Sequence, residues 1–276
     1  MPNLDSQTVT ILGVRGSLPV SGPDYVRYGG ATICAVARMG ECTIVLDAGS
    51  GLLNLPGPDR CTFLPEKPQP LPILVTHPHL DHLLGLPLCP HCLKPGGAVD
   101  IYMKERMGMN GEEMLERLIA PPFWPVGTAQ LPADIRFHPL RESFDLGGVA
   151  VVTMEGVHPG GVSLLRLNGR ERSVVLITDC TLTEEFRPRA LAFAGGCDLL
   201  LIDGQYSDGE WPSHATFGHN TYRSAARFGA ECGAKQVRIL HHDPGHTDEF
   251  LDAAQEEVRR EFPKCSFAYE GEEITL

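Results

Sequence analysis

Short aliphatic runs that stop at a histidine or an aspartate recur through the second and third quarters of the chain and again near its end. LPILV leads into Thr76-His77, VVLIT into Asp179, LLLI into Asp203 and QVRIL into His241-His242. Runs of this length, bounded by glycine and proline turns, suit β-strands, and runs that are apolar at every position suit strands covered on both faces. Further strands are expected at 8–13, 31–38 and 42–49, then at 149–156 and 162–169. Helical periodicity is clearest at 111–120, 220–233 and 247–262, the last opening on a threonine cap with acids in its first turn. Strands followed by helices in each half predict two packed sheets with helices outside. No linker, repeat or low-complexity tract divides the chain, so residues 1–276 are expected to form one domain. The proline-rich stretches 54–72 and 120–127 read as surface loops.

A chain of 276 residues with 42% hydrophobic side chains can bury a full core. Its 35 acidic against 23 basic residues give a net charge of −12, which argues against a broad grip on extended nucleic acid or anionic lipid. Nine scattered cysteines, an odd number, fit reduced cytoplasmic thiols better than a disulfide scaffold. No basic, then apolar leader opens the sequence, and no window approaches the roughly 18 apolar residues that span a bilayer. The expectation is a soluble cytoplasmic protein with no membrane contact.

The densest chemistry is THPHLDH, residues 76–82. Where a strand runs into a loop, His77 and His79 share a face and can hold one ion, while Asp81 and His82 can reach a second beside it. Imidazole and carboxylate at this density suit Zn²⁺ or a similar first-row metal. Chance would produce His-x-His-x-Asp-His in a chain of this composition on the order of once per thousand such chains. Four residues do not complete two shells, so further ligands are expected at other strand ends: His158, Asp179, and one or more of His241, His242 and His246. Taken singly, His158 is also an ordinary turn residue and Asp179 an ordinary helix cap.

This series, with the early LDAGSG at 46–51, resembles the metallo-β-lactamase-fold dinuclear hydrolases, and the likeness runs from about Thr8 to Glu270. The resemblance implies an α/β fold, a four-layer αβ/βα sandwich, with two divalent ions, zinc foremost and manganese or iron as alternatives. By position, His77, His79 and His158 would bind the first ion, Asp81, His82 and His242 the second, and Asp179 would bridge them. His242 is preferred to His241 on its place after the strand. Within the family the chain is most similar to the branch of ribonuclease Z and cyclic phosphodiesterases. GHNT at 218–221 resembles that branch's His-Ser-Thr motif, and LIDGQY at 201–206 the segment that bears its partner acid. Asp203 and His219 thereby inherit the role of proton shuttle, against the plainer reading of a strand-end cap and a helix cap. The tRNA-clamping arm of ribonuclease Z is not recognisable.

The resemblance implies a metal-bridging hydroxide that attacks phosphorus, with Asp81 and Asp179 in the catalytic centre and His219 protonating the leaving oxygen. Two Zn²⁺, two aspartates and a hydroxide sum to +1, which favours a small anionic substrate despite the acidic chain. The same centre can attack the carbonyl of a lactone, thioester or β-lactam, and a non-catalytic metal or redox sensor is the alternative outside enzymes. CPHC at 89–92 has redox or half-zinc spacing without a second pair, Phe123 and Trp124 are candidates to stack on a substrate ring, and the assembly is left open to a homodimer.

Overall fold

The computed structural model describes residues 7–55 and 70–276. The first half supplies β1 (Thr8–Gly13), β2 (Cys34–Met39), β3 (Cys42–Leu46), β4 (Leu71–Val75), β5 (Ala98–Met103) and β6 (Asp134–Pro139). The second supplies β7 (Ser143–Leu146), β8 (Val149–Gly156), β9 (Val162–Asn168), β10 (Ser173–Ile177), β11 (Leu199–Asp203), β12 (Gln236–Leu240), β13 (Cys265–Phe267) and β14 (Glu273–Thr275). They form two seven-stranded sheets, ordered β14-β1-β2-β3-β4-β5-β6 and β13-β12-β11-β10-β9-β8-β7. In each, antiparallel pairing gives way to parallel pairing, β3 to β6 in the first sheet and β10 to β13 in the second.

Alternation along the parallel strands shows why they are apolar throughout. In β10, Val174 and Leu176 enter the core between the sheets, and Val175 and Ile177 enter a second core beneath the outer helices. β11 repeats this with Leu199 and Leu201 against Leu200 and Ile202. In the first sheet Ile44, Leu46 and Leu74 face the shared core, whereas Val45, Ile73 and Val75 face outward under a third cluster. The helices α1 (Gly111–Leu118), α2 (Arg187–Ala194), α3 (Trp211–His214), α4 (Tyr222–Glu231) and α5 (Asp248–Glu261) complete the layers. The outer core of the first sheet includes Met114 and Leu115 of α1; that of the second includes residues of α2, α4 and α5. The four-layer α/β sandwich expected from the sequence is the observed fold.

The threonine cap read from the sequence at the start of the last helix is present, and α1 has a cap that was not read. Asn110 and Glu113 form a reciprocal capping box on α1, and the Thr247 hydroxyl accepts from Phe250 N at the start of α5. The strand expected over 31–38 begins only at Cys34, because the Ala31 carbonyl turns aside to accept from Val14 N and Arg15 N. Most of the proline-rich stretch lies outside the described residues. Trp124 packs on the outer core of the first sheet and Phe123 is exposed. Cys89 and Cys92 are buried in that same core, unbridged, like every described cysteine. Among the described residues no helix is long and apolar enough to cross a membrane.

Candidate metal centre

The ends of β4, β8, β10, β11 and β12 converge on one edge of the sandwich, the place where parallel strands deliver side chains to a common crevice. Three of the turns depend on residues in the left-handed backbone region: Asp47 at φ 57° after β3, Asp179 at φ 50° after β10 and His241 at φ 66° after β12. Such conformations cost roughly 1–3 kcal/mol for a residue with a Cβ and persist only where surrounding contacts hold them. Here each turns a polar side chain back over the end of its strand.

Three donor groups result among the described residues, two holding the expected ligands and a third made of Asp179, Asp203, His219 and His241. His77, His79, His158 and Asp179 form the first, and Asp81, His82, Asp179 and His241 the second. Asp179 serves both through different oxygens. Its Oδ2 lies 3.7 Å from His77 Nε2 and 3.8 Å from His158 Nε2, and its Oδ1 lies 3.3 Å from His82 Nε2 and 3.0 Å from His241 Nε2. Asp81 Oδ2 closes the second set at 3.4 Å from His82 Nε2 and 3.2 Å from His241 Nε2, and His79 Nδ1 sits 3.1 Å from His158 Nε2 in the first.

Six of the seven ligands expected from the sequence are thus brought together, and the seventh is corrected. His242 points away, with Nε2 donating to the Ala268 carbonyl at 3.0 Å and its ring stacked on Phe267. The left-handed turn at His241 breaks the alternation of β12, so the side chain that returns to the edge is His241. His246 pairs instead with Glu210 at 2.9 Å.

The donor set fits divalent ions. His77 Nε2 and His82 Nε2 are buried without a hydrogen-bond partner, a condition that costs about 1–3 kcal/mol unless something else satisfies the nitrogen. Donors held at about 2.0–2.1 Å around a tetrahedral ion stand roughly 3.3–3.4 Å apart, and the spacings above scatter around that value. The opposite ring nitrogens are fixed: His77 Nδ1 by the Thr76 hydroxyl at 3.1 Å, His82 Nδ1 by Asp47 at 2.9 Å, His158 Nδ1 by the Gly218 carbonyl at 3.2 Å and His241 Nδ1 by Gln205 Oε1 at 3.1 Å. Such outer partners set the tautomer that points a lone pair at the metal. Asp47 also accepts from Thr76 N at 2.8 Å, and Ser17 N donates to Asp81 Oδ2 at 2.7 Å. Glycine is required where backbone meets ring: a Cβ on Gly16 would lie 2.2 Å from His241 Nδ1, and one on Gly218, at φ +99°, 2.1 Å from His158 Nδ1.

Charge divides the two sets. Burial lowers the pKa values of His77, His79 and His158, the last to about 4. Burial also pushes His82 and His241 down, but carboxylates reverse the outcome: Asp81, Asp179 and Asp47 hold His82 well above its ordinary value, and Asp179, Asp81 and Asp203 raise His241 to about 10. Asp81 and Asp179, which burial alone would raise, stay well below the usual carboxylate range beside these imidazoles.

Next to the second set, His219 Nδ1 lies 2.7 Å from Asp203 Oδ2, and the other oxygen of Asp203 accepts from Asn220 N at 3.0 Å. The His219 ring stacks on His241 at 4.9 Å between centroids. Asp203 Oδ2 is also 3.4 Å from His241 Nδ1, but that nitrogen is hydrogen-bonded to Gln205 Oε1 and Asp203 to His219. Gln205 is the neighbour of the site that the sequence reading does not reach; His241 is weighed there against His242, and Asp47 enters only as part of its turn.

Residues 43–242 match the family described as the beta-lactamase superfamily domain. The chain belongs to the beta-lactamase superfamily. With the donor sets above, that membership makes it a metal-dependent hydrolase. A ribonuclease Z from Bradyrhizobium diazoefficiens is 23% identical over 97% of this chain and 99% of its own length. Among solved structures, the metallo-beta-lactamase fold protein YhfI of Bacillus subtilis superposes with a TM-score of 0.73 at 17% identity over 99% of this chain and all of its own. A diphosphatase of the PhnP family superposes at 0.68, with 18% identity over 98% of each chain.

Proposed function

We propose that the protein is a phosphodiesterase acting on a small or cyclic phosphodiester, or on an RNA end. The observation that carries this reading is the Asp203–His219 pair, held at 2.7 Å beside both donor sets. An alkoxide leaving a phosphodiester has a high pKa and needs a proton, and an imidazole oriented by a buried carboxylate is placed to give one. The relatives support phosphorus chemistry, since one is a ribonuclease Z and another a diphosphatase.

His77, His79 and His158 would hold one ion, Asp81, His82 and His241 the other, with Asp179 shared. Zinc suits this mixture of imidazole and carboxylate. Bound there, two divalent ions supply Lewis acidity, which activates water at neutral pH and offsets phosphoryl charge. The protein's own contributions are orientation and proton transfer. Asp179 fixes the two sets relative to one another, Asp47 and Gln205 lock ligand tautomers, and Asp203 orients His219 through its Nδ1. The net charge of −12 favours a compact substrate over a long polyanion.

The test is hydrolysis of bis(p-nitrophenyl) phosphate by protein loaded with Zn²⁺ or Mn²⁺, against a chelated control. The reading requires turnover that the chelator abolishes. Absence of turnover in protein shown to carry two ions, with cleavage of a lactone or thioester, would replace the phosphodiesterase by an acyl hydrolase.

A further inference from the structure

Behind His241 lies an arginine that offers no donor atom to an ion. Arg15 sits just after β1 and is fully buried. Taking a guanidinium out of water is costly unless its N–H groups are matched. Here Nε donates to the Gly29 carbonyl at 2.8 Å, and Nη1 donates to the carbonyls of His246 at 2.7 Å and Asp243 at 3.1 Å. Nη2 has no partner. The backbone on either side grips the same turn: His242 N donates to the Val14 carbonyl at 2.9 Å, and Gly16 N donates to the His242 carbonyl at 3.0 Å. The turn from 241 to 246 is therefore fastened at His242 by main chain and at Asp243 and His246 by the guanidinium. An apolar side chain in place of Arg15 would leave those last two carbonyls without this donor.

From this turn the restraint runs on to the metal-facing side chain. Asp243 Oδ2 accepts from Gln205 Nε2 at 3.1 Å, and Gln205 Oε1 faces His241 Nδ1 at 3.1 Å. A carboxylate only accepts hydrogen bonds, so Asp243 decides which end of the Gln205 amide points towards it. The amide oxygen is left to His241, where it accepts from Nδ1–H and keeps Nε2 as the free donor. Asp243 is itself held at both ends, its carbonyl by Arg15 and its Oδ1 by Gly245 N at 2.7 Å. His241, at φ 66°, is the strained member of the turn, and such a conformation persists only where its surroundings over-determine it.

We propose that Arg15 is a positioning residue for the second ion: it holds Asp243, which orients Gln205, which orients His241. This rests on the two-ion assignment above. The bonds of this relay lead to His241 and not to His77, His79 or His158, so the first ion should not depend on it. Arg106, the other buried arginine among the described residues, serves as the contrast. Its Nη1 bonds Glu155 and its Nη2 bonds Ser163, and neither lies in the 241–246 turn.

The experiment is a calorimetric titration of the metal-free full chain with Zn²⁺, alone and as Arg15→Met, Arg15→Lys, Arg106→Met, Gln205→Leu and the double variant Arg15→Met/Gln205→Leu, with a melting curve for each. Arg15→Met should weaken the second ion about 10-fold, the lower end of what outer partners of metal ligands contribute, and leave the first unchanged. Arg15→Lys keeps the stem and the charge but brings one nitrogen in place of a fork, so its loss should be smaller; it carries the test if Arg15→Met does not fold. Because Arg15 acts through Gln205, the double variant should lose less than the two single losses combined. Arg106→Met should leave the second ion as it is. Equal weakening of both ions, in step with the melting temperature, would make Arg15 a residue of the fold alone and overturn the proposal. So would an unchanged second ion in the Arg15 variants, fully additive losses in the double variant, or the same loss in Arg106→Met. Unmodified protein that binds fewer than two ions would remove the two-ion assignment and this inference with it, whereas two ions bound equally well by the Arg15 variants would remove only the inference.

Discussion

The two halves of the metal centre are built from the same residue types yet are electrostatically unlike. Around His77, His79 and His158 three imidazoles share one oxygen of Asp179, burial dominates, and their pKa values fall. Around His82 and His241 two imidazoles face Asp81, Asp179 and, from behind, Asp47 or Asp203, and the carboxylates prevail over burial. Ligand type alone therefore does not set the character of a metal position; the ratio of acids to imidazoles does. The first set offers neutral nitrogens at physiological pH, and the second offers a stronger negative field guarded by protons.

Removing the one shared group should break this comparison outright. Asp179→Ala takes a donor from both sets, so metal content should fall below two ions per chain and phosphodiester cleavage by on the order of 1,000-fold, the scale of losing several kcal/mol of charge stabilisation. Full turnover with two bound ions would remove Asp179 from its bridging role.

The neighbouring histidines should separate next. His241→Ala should lose the second ion and, in the metal-free protein, the stability that the pairing of His241 with Asp81 and Asp179 contributes. His242→Ala should keep both ions yet lose about 3 kcal/mol of stability, because it deletes a fully buried ring packed on Phe267 and Tyr28. Metal analysis and thermal melting of the two variants decide the matter, and the reverse pattern would restore His242 as the ligand.

Titration sharpens the contrast further. In the metal-free protein His241 keeps its proton up to about pH 10, against an ordinary value of 6.5. Its raised pKa means that the stability it contributes is complete below pH 6.5 and is lost as pH rises towards 10. An ion entering the second set must displace that proton, so its apparent affinity should increase with pH across this window, whereas the first set, already neutral, should be nearly flat there. Calorimetry in buffers of different ionisation enthalpy should show about two protons released with the second ion, one each from His82 and His241, and none with the first.

The smallest effect belongs to Gln205. Gln205→Leu frees His241 Nδ1 to turn towards Asp203, 3.4 Å away. Affinity for the second ion should drop about 10- to 100-fold, as for other outer partners of metal ligands, while the first ion stays bound. Unchanged affinity for the second ion would mean that Gln205 does not set the orientation of His241.

Much of this was legible in the sequence because local rules agreed with the tertiary outcome. Apolar runs mark β4, β10 and β11 within a residue or two, and the cluster THPHLDH marks the centre. β5, with its polar Asp100 and Tyr102, and β6, with Arg136 and His138, carry no such run and went unread; they sit towards the edge of their sheet, where one face is partly open. α2 was also unread, since its apolar positions have no helical face. The register of His241 was hidden for a different reason. Its side chain is aimed by a positive φ, and neither alternation nor motif spacing registers a left-handed residue that is not glycine.

A two-ion hydrolytic site served by a dedicated proton donor should discriminate between leaving groups. The decisive variant is His219→Ala, assayed in metal-loaded protein with two phosphodiesters that differ in leaving group, a p-nitrophenolate and an alkyl alkoxide. The variant should keep most of its rate on the first, which leaves without a proton, and lose about 100-fold or more on the second. Equal losses on both substrates, at unchanged metal content, would rule out His219 as the proton donor.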